Sequence, residues 1–156
     1  MSQEDAQIEL ETSVGYLLKE ASSALRSAME AVLRPLGMSV THYSCLELLA
    51  QRPGLSNSEL ARGAFVTRQS MNVLLQALER DGFVSRPDQA AEGRALPTRL
   101  TELGRSRLTV ASAAVRGVED RMRSGLDAVE REQLRALLAR CVTALTDPAS
   151  DPAAPR

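Results

Sequence analysis

Arg68, Gln69, Asn72 and Gln76 fall within one short segment, at spacings that place them together on one side of a helix. These side-chain types hydrogen-bond to the edges of nucleic-acid bases: Arg bidentate to guanine, Asn or Gln bidentate to adenine. Met71, Leu74, Leu75 and Leu78 occupy the opposite face at i, i+3, i+4, i+7. The outer face of a purely structural helix normally carries mixed i,i+4 ion pairs. Here no acid appears from Arg68 to Leu78. Thr67 and Ser70, at the helix start, suit contact with a phosphate at a positive helix terminus. Further on, Arg86 and Arg99 flank a polar stretch containing Glu92-Gly93-Arg94. An Arg at the tip of such a hairpin can enter a minor groove.

Other chemistries find little material. The chain has one His and two Cys, so a Cys/His zinc site is out of reach and no acid, base and nucleophile cluster can be assembled. We assign no catalytic residue, no metal ligand and no cofactor. Cys45 and Cys141 lie on apolar stripes, where a Cys is usually an inert small hydrophobe. Eighteen Arg against one Lys make nearly every cation a planar, bidentate head suited to phosphate. The net charge of −1 conceals an uneven distribution: −3 over residues 1–55, +2 over 56–107, and zero over 108–156.

The elements that must position these residues follow from periodicity and punctuation. Leu (23) and Ala (22) against a single Ile favour helix over sheet. A stripe from Leu10 through Val14, Leu17, Leu18, Ala21, Leu25, Ala28, Met29 and Val32 predicts a long first helix over 10–34, ended by Pro35 and Gly37. Ser39 caps a second helix that stops at Pro53-Gly54. Ser56-x-x-Glu59 is a capping box for a short third helix. Gly63-Ala64-Phe65-Val66 reads as the turn, and Thr67 caps the base-reading helix, which Gly82 ends. Three short helices with a tight turn between the last two are the sequence form of a helix-turn-helix. Residues 83–86 and 95–100 alternate like strands around a polar tip, a wing whose Pro97 marks an edge strand. A helix over about 102–123 follows. Asp127 with Glu130 opens the last one, whose Leu134, Leu137, Leu138, Cys141, Val142 and Leu145 form a second long apolar stripe.

Residues 10–146 resemble the MarR family of winged helix-turn-helix transcriptional regulators. The resemblance rests on GMSVTHYSCLELLAQRPGLSNSELA, TRQSMNVLLQALERDGFVSR and EGRALPTRLTELG. The most specific feature is the wing pattern Asp-x-Arg followed by Leu-Thr-x-x-Gly, met here by Arg94, Leu100, Thr101 and Gly104, with Glu92 in place of the Asp. The resemblance implies a mainly α fold with a small β-wing, in which residues 39–101 bind DNA and helices in 10–36 and 102–146 clasp a homodimer. Residues 1–9 and 147–156 are expected to be disordered tails. It also implies a repressor of a near-palindromic operator, released by a small aromatic or phenolic ligand. Tyr16, His42 and Tyr43 are the candidate ligand contacts.

Two alternatives stand beside this expectation: a regulator of the same fold gated by oxidation of Cys45 or Cys141, and a winged helix that binds a protein instead of DNA. No apolar run approaches the roughly 20 residues of a membrane span, and the polar, acidic N-terminus is not a signal peptide. The expected location is the cytoplasm, on the nucleoid when bound to an operator.

Overall fold

The computed structural model describes residues 7–86 and 98–148. Residues 87–97, which hold Glu92, Arg94 and Pro97, lie outside the described residues, as do most of the expected tails. Two units are distinguished, residues 1–118 and 119–156.

In the first unit, helix α1 (Val14–Leu33) begins four residues later than the apolar stripe predicts. Its N-cap is Ser13, whose Oγ accepts the Tyr16 N–H at 3.2 Å. Thr12 Oγ1 donates to the Glu9 carbonyl at 3.3 Å, so the preceding residues form a turn and Leu10 is exposed. Local side-chain hydrogen bonds thus outcompete the helix that the stripe alone would extend. A 3-10 turn at Arg34–Leu36 carries Pro35 into Gly37, whose φ of 68° reverses the chain.

Helix α2 (Val40–Gln51) starts at Ser39 as expected. Helix α3 (Asn57–Gly63) opens on the reciprocal Ser56/Glu59 capping box. Helix α4 (Arg68–Arg80) is capped by Thr67. It buries Met71, Leu74, Leu75 and Leu78, each worth about 2 kcal/mol in apolar transfer. These pack with Leu33, Cys45, Leu46, Leu49, Leu60, Val84, Leu100, Leu108 and Ala111 into one core.

Strands β1 (Val84–Ser85) and β2 (Arg99–Leu100) pair antiparallel, Val84 opposite Leu100 and Ser85 opposite Arg99. The alternation of strand side chains puts Val84 and Leu100 in the core and leaves Ser85 and Arg99 outside. Both strands are shorter than the sequence suggested, within the described residues.

Helix α5 (Glu102–Met122) is fastened to this sheet by the Leu100-Thr101-x-x-Gly104 segment. Thr101 Oγ1 donates to the Gly82 carbonyl at 2.6 Å and accepts the Gly104 N–H at 3.0 Å. The Thr101 N–H donates to the Phe83 carbonyl at 3.1 Å. Glycine is required at 104 because a Cβ there would lie 2.1 Å from the Phe83 oxygen. Farther along, Ser112 Oγ donates to Glu47 Oε2 at 2.9 Å, tying α5 to α2.

The second unit holds the end of α5 and helix α6 (Ala128–Thr146), opened by the expected Asp127/Glu130 capping box. No residue of α6 is buried. Val129, Leu134, Leu137, Leu138, Val142 and Leu145 are all exposed, as are Val14, Leu17 and Leu18 on α1.

Candidate nucleic-acid interface

The turn between α3 and α4 departs from its expected form. Gly63 is the last residue of α3 and does not make the turn. A Cβ at Gly63 would stand 2.9 Å from Leu48 Cδ1, so this glycine serves close packing of α3 on α2. The reversal is made by Phe65, at φ 58°, the one non-glycine residue with positive φ among the described residues. Val66 N–H donates to the Ala61 carbonyl at 3.0 Å and Phe65 N–H to that of Arg62 at 3.2 Å. This is the Schellman arrangement, normally built on glycine. The same pair of bonds closes α4 at Gly82, and there the residue is glycine. Phe65 holds the strained position while 94% exposed.

Thr67, Arg68, Gln69, Ser70, Asn72, Val73 and Gln76 are all exposed on the outward side of α4. Two of them are anchored to α3. Arg68 donates from Nε and Nη2 to Ser58 Oγ at 2.9 and 2.7 Å. Asn72 Oδ1 accepts from Asn57 Nδ2 at 2.8 Å. These anchors leave the outer edges unspent. Asn72 keeps both Nδ2 protons and a lone pair on Oδ1, the complement of an adenine edge. Arg68 keeps both protons of Nη1 and one of Nη2, the end-on fork of the guanidinium, for a bidentate contact. Thr67 and Ser70 are engaged with one another: Ser70 N–H reaches Thr67 Oγ1 at 3.1 Å, and the two hydroxyls stand 2.9 Å apart.

The wing residues divide. Arg86 Nε donates to Glu79 Oε2 at 2.8 Å, which ties β1 to the end of α4 and uses part of the guanidinium charge. Arg99 is exposed on β2, and its side chain makes no hydrogen bond or ion pair among the described residues. Arg94 lies outside them.

The proposed ligand residues are not all in one place. His42 and Tyr43 occupy the first turn of α2, and Tyr43 packs against the core. Tyr16 is in the first turn of α1, about 25 Å along that helix from Leu33, its buried residue. His42 has a structural task that sequence reasoning missed. Its Nδ1 accepts the Ser39 N–H at 3.3 Å while Ser39 Oγ accepts the His42 N–H at 3.1 Å. It therefore stands where Glu or Gln completes a capping box. Nδ1 must be unprotonated to accept, which leaves Nε2–H as the ring's donor. Burial holds the His42 pKa below its ordinary value, partly opposed by the charge of Asp81.

The two thiols differ sharply. Cys45 is fully buried with Met71 Sδ 3.8 Å from its Sγ, and burial pushes its pKa up to about 12. Cys141 is exposed on α6.

This geometry, a capped helix presenting Arg, Gln and Asn after a tight turn with a small sheet beyond, matches a known set of proteins. The MarR family model matches residues 36–95. The HTH-type transcriptional repressor Rv2887 of Mycobacterium tuberculosis is 41% identical over 127 residues, covering 81% of this chain and 91% of that protein. The chain belongs to the MarR family. The crystal structure of the M. tuberculosis MarR family protein Rv2887 with salicylic acid superposes with a TM-score of 0.70 at 40% identity, over 83% of this chain and 96% of that one. The same MarR protein in complex with DNA gives a TM-score of 0.70 at 38% identity, over 83% and 98%. Mainly helical architecture with a small antiparallel sheet is the fold of this MarR chain too. No helix among the described residues is long and apolar enough to cross a membrane.

Proposed function

We propose that this MarR-family chain is a homodimeric, sequence-specific DNA-binding repressor whose grip on a near-palindromic operator is released by a small aromatic acid. The observation that carries the reading is the outward face of α4, where Arg68 and Asn72 are pinned to α3 and still offer base-reading edges. Gln69 and Gln76 extend that face, and Thr67 and Ser70 meet the phosphate backbone at its start. Arg86, Arg94 and Arg99 serve the wing. The repressor Rv2887, crystallised with DNA and with salicylic acid, supports both halves of the proposal.

Dimerisation follows from what one chain leaves uncovered. The apolar stripe of α6, and separately that of the N-terminal half of α1, are exposed over several turns, far more than isolated surface apolar residues. A second copy covers each. Two recognition helices about 34 Å apart then address successive major grooves, and a ligand that favours another spacing releases the DNA. His42, Tyr43 and Tyr16 are the polar aromatic side chains available to an aromatic ligand. No catalysis belongs to this reading, and its place of action is the cytoplasm, at the chromosome. Thiol gating through Cys45 is disfavoured by the burial and raised pKa of that residue.

The test selects bound fragments from genomic DNA with purified protein and measures affinity for the recovered site by fluorescence anisotropy. Asn72→Ala should weaken binding and relax preference at one base position by about 1–3 kcal/mol. Arg94→Ala should weaken binding with the fold intact. Equal loss on the selected site and on random DNA for Asn72→Ala refutes base reading by that residue.

A further inference from the structure

Between the C-terminal end of α2, strand β2 and the first turn of α5 lies an open cavity of about 670 Å³. Leu49, Ala50, Pro53 and Leu100 supply an apolar wall, and Arg99 and Arg105 face it from the other elements. The volume falls in the usual range for small-molecule sites, and so does the combination of apolar lining with a few polar groups.

The two guanidiniums are what make the cavity selective. Arg86, just after β1, has a carboxylate partner in Glu79. The guanidiniums of Arg99 and Arg105 make no hydrogen bond or ion pair among the described residues. Among the described residues, no acid lines the cavity to compensate them. Two uncompensated cations beside an apolar wall fit an anion with an apolar body, the cations taking the charge and the wall the ring.

We propose that this cavity at the root of the wing is a binding site for a small aryl carboxylate, separate from the His42 and Tyr43 region. Binding rests on the cavity itself; its consequence for DNA rests on the function proposed above. Arg99 belongs to the wing strand. A carboxylate held between Arg99 and Arg105 withdraws Arg99 from any phosphate and reorients β2 against α2. The anion and the operator then compete for one guanidinium, which couples the two sites without a long pathway.

The experiment titrates salicylate, as the probe, into ¹⁵N-labelled full-length protein and follows the backbone amides, alongside anisotropy of an operator fragment. Saturable shifts are expected at Ala50, Gly54, Arg99 and Leu100. Arg105→Gln, which leaves DNA affinity without salicylate unchanged, should weaken salicylate binding about tenfold. Ala50→Leu, which fills the cavity from the α2 side, should do the same. The proposal is overturned if the shifts of those amides do not saturate, or if neither variant changes the salicylate affinity. Salicylate that still releases DNA from both variants with undiminished potency removes the cavity from regulation and leaves the ligand-responsive reading standing. Saturable shifts at the cavity without any release of DNA keep the site and remove that reading.

Discussion

Replacing Gly104 with Ala puts one methyl group in the tightest place in the fold. Its Cβ would lie 2.1 Å from the Phe83 oxygen, where contacts under 3.0 Å are essentially never seen, so α5 and the Phe83 carbonyl must separate by about 0.9 Å. Neither partner moves freely. Phe83 N–H is bonded to the Leu78 carbonyl at 2.9 Å, and its oxygen accepts from Thr101 N–H at 3.1 Å. Overpacking of this kind costs about 2 kcal/mol, and lifting α5 weakens the two Thr101 bonds to Gly82 and Phe83, at about 1 kcal/mol each. The higher helix propensity of Ala returns about 1 kcal/mol. The net loss is about 3 kcal/mol, which lowers Tm by roughly 6–12 °C in a chain of this size. Gly117, on the same helix, is the internal control, because a Cβ there meets nothing within 4 Å. Gly117→Ala should be neutral or stabilising by up to about 1 kcal/mol. Thermal unfolding followed by circular dichroism, at one fixed protein concentration, measures both variants. Equal Tm values for the two would refute the steric argument, since propensity alone predicts the same gain at each site.

Three further outcomes follow from the geometry. The lowered pKa of His42 means that the folded state prefers the neutral ring, so its contribution to stability is complete above the ordinary His pKa near 6.5 and is lost as pH falls through the lower folded value; the urea midpoint of wild type should fall relative to that of His42→Gln, whose amide can complete the cap without titrating, as pH drops from 7 to 5, and parallel curves would remove the ring from the cap. Cys45, with its pKa near 12, should resist iodoacetamide at pH 8 until the protein unfolds; peptide mass spectrometry of the native protein showing modified Cys45 would restore thiol gating as a mechanism. Phe65→Gly should raise stability by about 1 kcal/mol through relief of the left-handed backbone, since the ring it removes is almost wholly exposed; a loss of stability would mean that the ring has a packing partner.

What the sequence made legible was local. Capping boxes at Ser56/Glu59 and Asp127/Glu130 are encoded within four residues, and both formed. The two faces of α4 followed from period alone. What escaped depends on partners distant in sequence or on residues outside the usual vocabulary. His42 completes a cap because its ring nitrogen happens to reach Ser39 N–H, a role that propensity gives to Glu or Gln. Phe65 takes the position that glycine usually holds in this turn, while Gly63, two residues earlier, ends α3 close to Leu48 Cδ1. The start of α1 was misjudged because an apolar stripe does not register the turn that Thr12 and Ser13 impose. The bonds from Ser58 and Asn57 to Arg68 and Asn72 could be recognised only once α3 lay against α4.

Those last bonds change how the modest charge of this interface should be understood. The segment 56–107 carries a formal charge of only +2, too little for strong attraction to the phosphate backbone, and Arg86 is already compensated by Glu79. On the function proposed above, affinity must then come from contacts whose entropic cost is small. A free Arg or Asn loses about 0.5–1.5 kcal/mol of rotamer freedom when it docks. Arg68 and Asn72 have already lost theirs to Ser58 and Asn57 in the unbound protein. The short α3 helix thus acts as a jig for α4, setting two side chains before DNA arrives. On the function proposed above, Ser58 contributes to recognition through Arg68 without needing to touch a base. Affinity built this way depends on the positions of a few side chains more than on salt, so small movements of α3, α4 or the wing strand suffice to lose it.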